Sequence, residues 1–163
     1  MALTQIQGSG ISNVTISADG EITNSSQPAF CVSPASMIND LAINAYTTVS
    51  FGTEHYDVGG NFASNTFTAP VTGKYQLSFQ LYTLYIDEDA AYTYWELNTS
   101  NRDYFIIFDS GAFDQEAETW GPTLSITADM DANDTAYMRF YQSGGTAQVH
   151  VSTASFFSGV LVC

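Results

Sequence analysis

The sequence predicts an all-β chain folded as a two-sheet jelly-roll sandwich, and three observations carry that prediction. Aromatic residues make up 14% of the 163 positions (11 Phe, 10 Tyr, 2 Trp), while charged residues make up only 12%, about half the usual share. Aromatic and β-branched side chains favour strands, and a helical surface would carry far more Glu and Lys. Apolar and polar residues alternate over several runs, and each run is bounded by Gly, Pro, Asn or Asp, the punctuation of short strands stacked in a sandwich. The length suits one domain burying about two-thirds of its unfolded surface.

In chain order, residues 1–26 stand apart: Ser, Thr, Gly and Asn dominate and no aromatic occurs. Val14 to Ile22 alternates on both sides of Ala18-Asp19-Gly20, the pattern of a hairpin. A hairpin this small is marginal alone, so this segment is assigned to attachment and residues 27–163 to the main domain. Ser36 to Asn44 is a helix candidate, short and uncapped. Beyond it the period is two. Tyr75, Leu77 and Phe79 alternate with Lys74, Gln76, Ser78 and Gln80; Leu124, Ile126, Ala128 and Met130 with Ser125, Thr127 and Asp129. Ala136, Met138 and Phe140 alternate with Tyr137, Arg139 and Tyr141, and Val149 and Val151 with His150. Each set puts one row on each sheet face. Turns fall at Gly59-Gly60-Asn61, Pro70 to Gly73, Gly121-Pro122, Asp131 to Asp134 and Ser143-Gly144-Gly145. Two strands carry bulk on both faces: Tyr137 and Tyr141 oppose Met138 and Phe140, and Phe156 adjoins Phe157. A sandwich strand needs one apolar face, so the second predicts cover by another subunit.

Charge excludes partners. Seventeen acidic residues against Lys74, Arg102 and Arg139 give a net charge of −14. No basic groove for a phosphate backbone follows from three cations, and an anionic membrane surface repels the chain. No stretch approaches the 18 apolar residues of a membrane-spanning helix. Met1 to Gly8 has neither a basic nor an apolar region, so it does not read as a signal peptide. The two cysteines, Cys31 and Cys163, are too few for a disulfide scaffold or a four-ligand metal site. Either they pack as free thiols or, if first and last strands pair, they lie close.

Four segments make the main body look familiar. Gln27-Pro28-Ala29-Phe30 opens it; Val49-Ser50-Phe51 is followed by Asp57-Val58-Gly59-Gly60-Asn61-Phe62; Phe67-Thr68-Ala69-Pro70-Val71-Thr72-Gly73-Lys74-Tyr75-Gln76-Leu77-Ser78-Phe79 forms its most specific motif; Ser155-Phe156-Phe157-Ser158-Gly159-Val160-Leu161-Val162 closes it. Together, in this order, they resemble the globular head of complement C1q in the C1q/TNF superfamily. The sequence departs in carrying Asp57 where the family prefers Asn and Phe62 where it prefers Tyr, and no collagen-like Gly-X-Y stalk precedes the domain. The resemblance implies a jelly roll that packs as a homotrimer, a binding rather than enzymatic role, and neighbouring first and last strands, which favours proximity of Cys31 and Cys163 and a candidate disulfide. Tyr137, Tyr141, Phe157 and Gly159 are the candidate trimer contacts. In some family members a similarly placed acidic loop holds calcium. Here that loop offers Asp109, Asp114 and Glu116, and hard oxygen ligands suit Ca²⁺; the competing reading is a solvated turn. Asp87-Glu88-Asp89 and Asp129, Asp131 and Asp134 are further acidic loops.

No catalytic signature stands out. His55 and His150 are far apart, His55 falling in a loop and His150 on a surface, and neither a nucleophile elbow nor a metalloprotease motif occurs. The expected function is therefore a non-enzymatic, homotrimeric virion protein: a phage fibre, fibre tip or capsid decoration. Residues 1–26 would attach it to other virion proteins. The head would present Tyr, Trp120 and acidic loops to a host surface, a glycan or a protein. A secreted recognition lectin of the same fold is the alternative, and a polysaccharide hydrolase is the third class.

Overall fold

The computed structural model describes residues 13–113 and 115–163. Its strands are β1 (Val14–Ile16), β2 (Ile22–Asn24), β3 (Ala29–Ser33), β4 (Thr47–Thr48), β5 (Thr53–Val58), β6 (Phe62–Ala63), β7 (Thr66–Thr68), β8 (Gly73–Gln80), β9 (Thr83–Ile86), β10 (Ala90–Thr99), β11 (Asp103–Phe108), β12 (Ala117–Trp120), β13 (Thr123–Met130), β14 (Thr135–Gly144), β15 (His150–Val151) and β16 (Phe156–Leu161). One 3-10 turn, Ser110–Ala112, interrupts them. The chain is all-β, as the composition predicts.

Two sheets form the jelly roll. One runs β13-β8-β16-β3-β5; the other runs β11-β10-β14-β7-β6, with β4 also pairing β14. A smaller sheet, β12-β9-β15, lies at one end, and β1-β2 is a separate hairpin with Ile16 opposite Ile22. The expected alternation holds. On β8, Tyr75, Leu77 and Phe79 are fully buried while Lys74, Gln76 and Ser78 face outward. β14 buries Ala136, Met138, Phe140 and Gln142. The core between the sheets is aromatic at its centre: Phe30 stacks on Phe67 with ring centroids 4.7 Å apart and meets the edge of Phe157 at 4.9 Å.

β16 lies between β3 and β8. Phe157 pairs with Val32 on one side and Phe79 on the other. First and last strands of the body are therefore neighbours, but the register separates the cysteines. Cys31 sits opposite Ser158, whereas Cys163 is five residues further on, where its carbonyl accepts the Lys74 amide at 2.6 Å. At about 3.4 Å per residue that is about 17 Å, beyond any disulfide, and both thiols are free. The candidate bridge is thus corrected.

Two further expectations change. Ser36 to Asn44 forms no helix, because Asp40 and Asn44 take left-handed backbone with φ of 56° and 58°. The segment instead bridges Ile38 to Val151 and Ile43 to Gln142. His55 belongs to edge strand β5 rather than a loop, its Nε2 3.0 Å from Ser33 Oγ. Asp57 suits the turn that follows β5: its two carboxylate oxygens accept the amides of Asn61 at 2.9 Å and Phe62 at 2.8 Å.

Candidate functional site

Functional chemistry concentrates on the outer face of the β11-β10-β14 sheet. Strand alternation sends Trp95 and Leu97 of β10 into the core and turns Tyr92, Tyr94, Glu96 and Asn98 outward. The register then sets three columns side by side. Tyr94 lies between Ile107 of β11 and Tyr141 of β14; Glu96 lies between Phe105 and Arg139; Asn98 lies between Asp103 and Tyr137. Tyr46, just before β4, folds over this surface. Its ring centroid is 5.1 Å from that of Tyr141 and its hydroxyl hydrogen-bonds that of Tyr94. Tyr92, Tyr94 and Tyr141 stand nearly parallel, with Tyr94 and Tyr141 5.1 Å apart and 18° off parallel.

An ion pair is set into this aromatic field. Glu96 has a side chain only 3% exposed, and its Oε1 accepts Arg139 Nη2 at 2.6 Å. The same Nη2 lies 3.6 Å from the half-exposed Asp103, which Asn98 Nδ2 also hydrogen-bonds. The Arg139 guanidinium stacks 4.0 Å from the Tyr46 ring centre, a cation–π contact. The hydrogen bond to Glu96 holds the guanidinium proton more firmly than usual, outweighing the opposing effect of burial. Burial, reinforced by the Tyr46 hydroxyl and nearby negative groups, pushes the Tyr94 phenol above its ordinary range. Tyr46, Tyr92 and Tyr94, the exposed Phe105 and Ile107, and the acidic Glu96 and Asp103 line a cleft of about 270 Å³, in which the Tyr94 and Phe105 rings pack with centroids 6.1 Å apart.

The candidate trimer contacts divide. Tyr137 and Tyr141 are half-buried on this outer face, Tyr141 within the ring stack. Phe157 is fully buried inside the single chain, and Gly159 packs so closely that a Cβ would lie 2.5 Å from the Phe30 ring and 2.7 Å from Leu77. Neither Phe157 nor Gly159 can meet another copy; the inward face of β16 is core. Trp120, offered as a displayed side chain, is held by Phe108, with centroids 4.8 Å apart.

The acidic loops at Asp87 and at Asp129 to Asp134 serve local structure. Asp109 precedes the 3-10 turn, Asp109 and Glu116 are exposed, and Asp114 lies outside the described residues. Among the described residues no three His, Cys, Asp or Glu side chains gather as a metal would require. Asp87 is 4% exposed and accepts amides of Asp89, Thr146 and Ala147 at 2.9, 2.6 and 2.7 Å, tying two loops together. Asp134 accepts the Asp131 amide at 2.8 Å, and Asp129 pairs with Arg102 at 3.3 Å. His150 Nδ1 accepts the Asp40 amide at 3.0 Å, so its role here is structural.

Sequence reasoning missed Tyr92, Tyr94, Glu96, Phe105 and Ile107. The signal was present as the outward rows Tyr-x-Tyr-x-Glu and Asp-x-Phe-x-Ile, but the inward rows are equally bulky and mask the period.

Comparison with known proteins places this architecture. A family profile described as C1q domain matches residues 29–162. Among curated proteins none matches. Among solved structures, the globular domain of zebrafish complement 1qA superimposes with a TM-score of 0.59 at 18% identity, covering 84% of this chain and 98% of that one. Murine APRIL gives 0.60 at 12% identity, covering 83% and 99%. Eiger TNF from S. frugiperda gives 0.59 at 15%, covering 84% and 93%. These likenesses share the fold, and the profile spans nearly all of the main body: the chain belongs to the C1q domain family.

Proposed function

We propose that the protein is a non-enzymatic homotrimeric recognition head of a virus particle. Membership of the C1q family supports a recognition or binding role. One observation supports self-association. β11 and β13 are edge strands, each paired on one side only. The inward rows of these edges, Tyr104 and Ile106 on β11 and Leu124 and Ile126 on β13, stay only half-buried against the core. An unpaired edge backed by apolar side chains is an aggregation hazard unless covered, and a closed ring of copies covers it. This side replaces the face of Tyr137 and Tyr141 as the proposed contact.

The setting rests on composition and on the leader. Lysine is nearly absent, and residues 1–26 are Ser/Thr/Gly-rich. Residues 1–12 lie outside the described part; the β1-β2 hairpin offers Ile16 and Ile22, paired and mostly exposed, as an attachment face.

Light scattering at micromolar concentration tests assembly: the expected mass is three times 17.7 kDa, and Ile126→Asp on the edge is expected to give monomer. Three copies of −14 repel, so assembly should strengthen as salt screens them. A wild-type monomer overturns the trimer. Antibody labelling of the producing culture in the electron microscope tests the setting. Label on particles supports it; label confined to particle-free medium overturns it in favour of a secreted recognition protein.

A further inference from the structure

Glu96 is buried as charged groups rarely are, yet its hydrogen bonding is half complete. Oε1 takes Arg139 Nη2 at 2.6 Å; Oε2 receives no donor among the described residues, and it belongs to the residue that floors the 270 Å³ cleft. Oε2 is not one of the buried polar atoms left without a partner; it meets solvent in the cleft, and a ligand group that donates a hydrogen bond would take the place of water there. The walls specify the rest of that ligand. Tyr94 and Phe105 pack side by side, ring centroids 6.1 Å apart and 48° from parallel, and Tyr92 and Ile107 complete the apolar lining; Phe105 and Ile107 are 58% and 59% exposed. Such walls suit a flat, weakly apolar face. At the rim the half-exposed Asp103 is a further acceptor.

Charge selects among ligands. Glu96 and Asp103 outweigh Arg139 by one negative charge, within a chain of −14. Uronic, sialic, sulfated and phosphorylated groups are repelled. Because Arg139 already answers Glu96, a neutral hydroxyl suffices as donor. At 270 Å³ the cleft falls just below the range of about 300–1,000 Å³ for drug-sized ligands, which suits a single ring.

We propose that this cleft binds a neutral monosaccharide unit of a surface polysaccharide, its C–H face against Tyr94 and Phe105 and one hydroxyl donating to Glu96 Oε2. The proposal rests on the recognition reading and names the class of ligand for it. One shallow site per chain would be weak, and three on one head would gain by avidity.

Saturation-transfer NMR on the full chain tests it, using glucose, galactose, mannose and N-acetylglucosamine, with sialic acid, glucuronic acid and tetramethylammonium alongside. At least one neutral sugar is expected to receive saturation on its ring C–H protons, and the acidic sugars none. Glu96→Gln should weaken binding by at least about tenfold. Phe105→Ala, at an exposed position that does not threaten folding, should do the same. Silence from every neutral sugar overturns the proposal, as does equal binding in both variants or preference for an acidic sugar or the quaternary cation. Light scattering on the same samples separates the two readings: a trimer silent to sugars loses the cleft only, and a sugar-binding monomer loses the trimer only.

Discussion

Removing Arg139 while keeping Glu96 is the sharpest test of the electrostatics on the outer face. In Arg139→Met the Glu96 side chain, 3% exposed, loses the guanidinium held at 2.6 Å. Asp103 loses the same cation at 3.6 Å. No replacement is near: Lys74 lies in register with Asp129 on the other sheet, and Arg102 pairs with Asp129. Breaking a buried pair from one side costs about 3–5 kcal/mol, which for a chain of this size lowers Tm by about 6–20 °C. The double variant Arg139→Met/Glu96→Leu removes both charges and should recover most of that loss, because an apolar pair of similar volume is close to neutral. Arg102→Met is the internal control: its pair is 57% and 48% exposed, so the loss should be about 0–1 kcal/mol. Urea unfolding at pH 7, followed by the fluorescence of buried Trp95, measures all three. If Arg139→Met costs no more than Arg102→Met, or if the double variant is no better than the single, the buried-pair reasoning is refuted.

Other expectations follow from packing and titration. Gly159→Ala should lower stability by about 1–3 kcal/mol through overpacking against Phe30, at any protein concentration; a loss seen only on dilution would mean that Gly159 contacts another copy after all. Thiol titration of the unfolded chain should find two free thiols without reductant, and in the folded chain exposed Cys163 should react first, since burial raises the Cys31 thiol; one disulfide-linked pair would refute the register. The raised Tyr94 phenol contributes stability that is complete below the ordinary tyrosine range and is lost as pH climbs through its folded value. Alkaline melts should therefore fall above about pH 10, less steeply in Tyr94→Phe, and an identical pH dependence in that variant would contradict the desolvation of Tyr94.

Much of the fold was legible because β8, β13 and β14 pair an apolar row with a polar one, so period two shows in the letters. β10 and β11 resist reading for a physical reason. Trp95 and Leu97 face the core while Tyr92 and Tyr94 face the cleft, and Tyr104 and Ile106 oppose Phe105 and Ile107, so both rows are large. The candidate site sits on those two strands, which is why the residues named in advance only border it. Phe157 and Gly159 show the opposite error: bulk beside a gap looked like a subunit contact, but the gap at Gly159 is filled by the Phe30 ring from within. The cysteine pair failed on register, which strand adjacency alone does not specify. The short segment from Ser36 misled because Asp40 and Asn44, residue types that tolerate left-handed backbone, turn the chain instead of continuing a helix.

The place of β16 between β3 and β8 bears on how the molecule is made. Val32 and Phe157 meet across 125 positions of sequence, so the centre of that sheet cannot assemble from any local stretch. Until the two ends of the body find each other, β3 and β8 each present a bare ladder, and the entropy of closing so large a loop delays the event. Refolding is therefore expected in the slow regime of non-local β topologies, about milliseconds to seconds, with misassembly between chains competing during that interval.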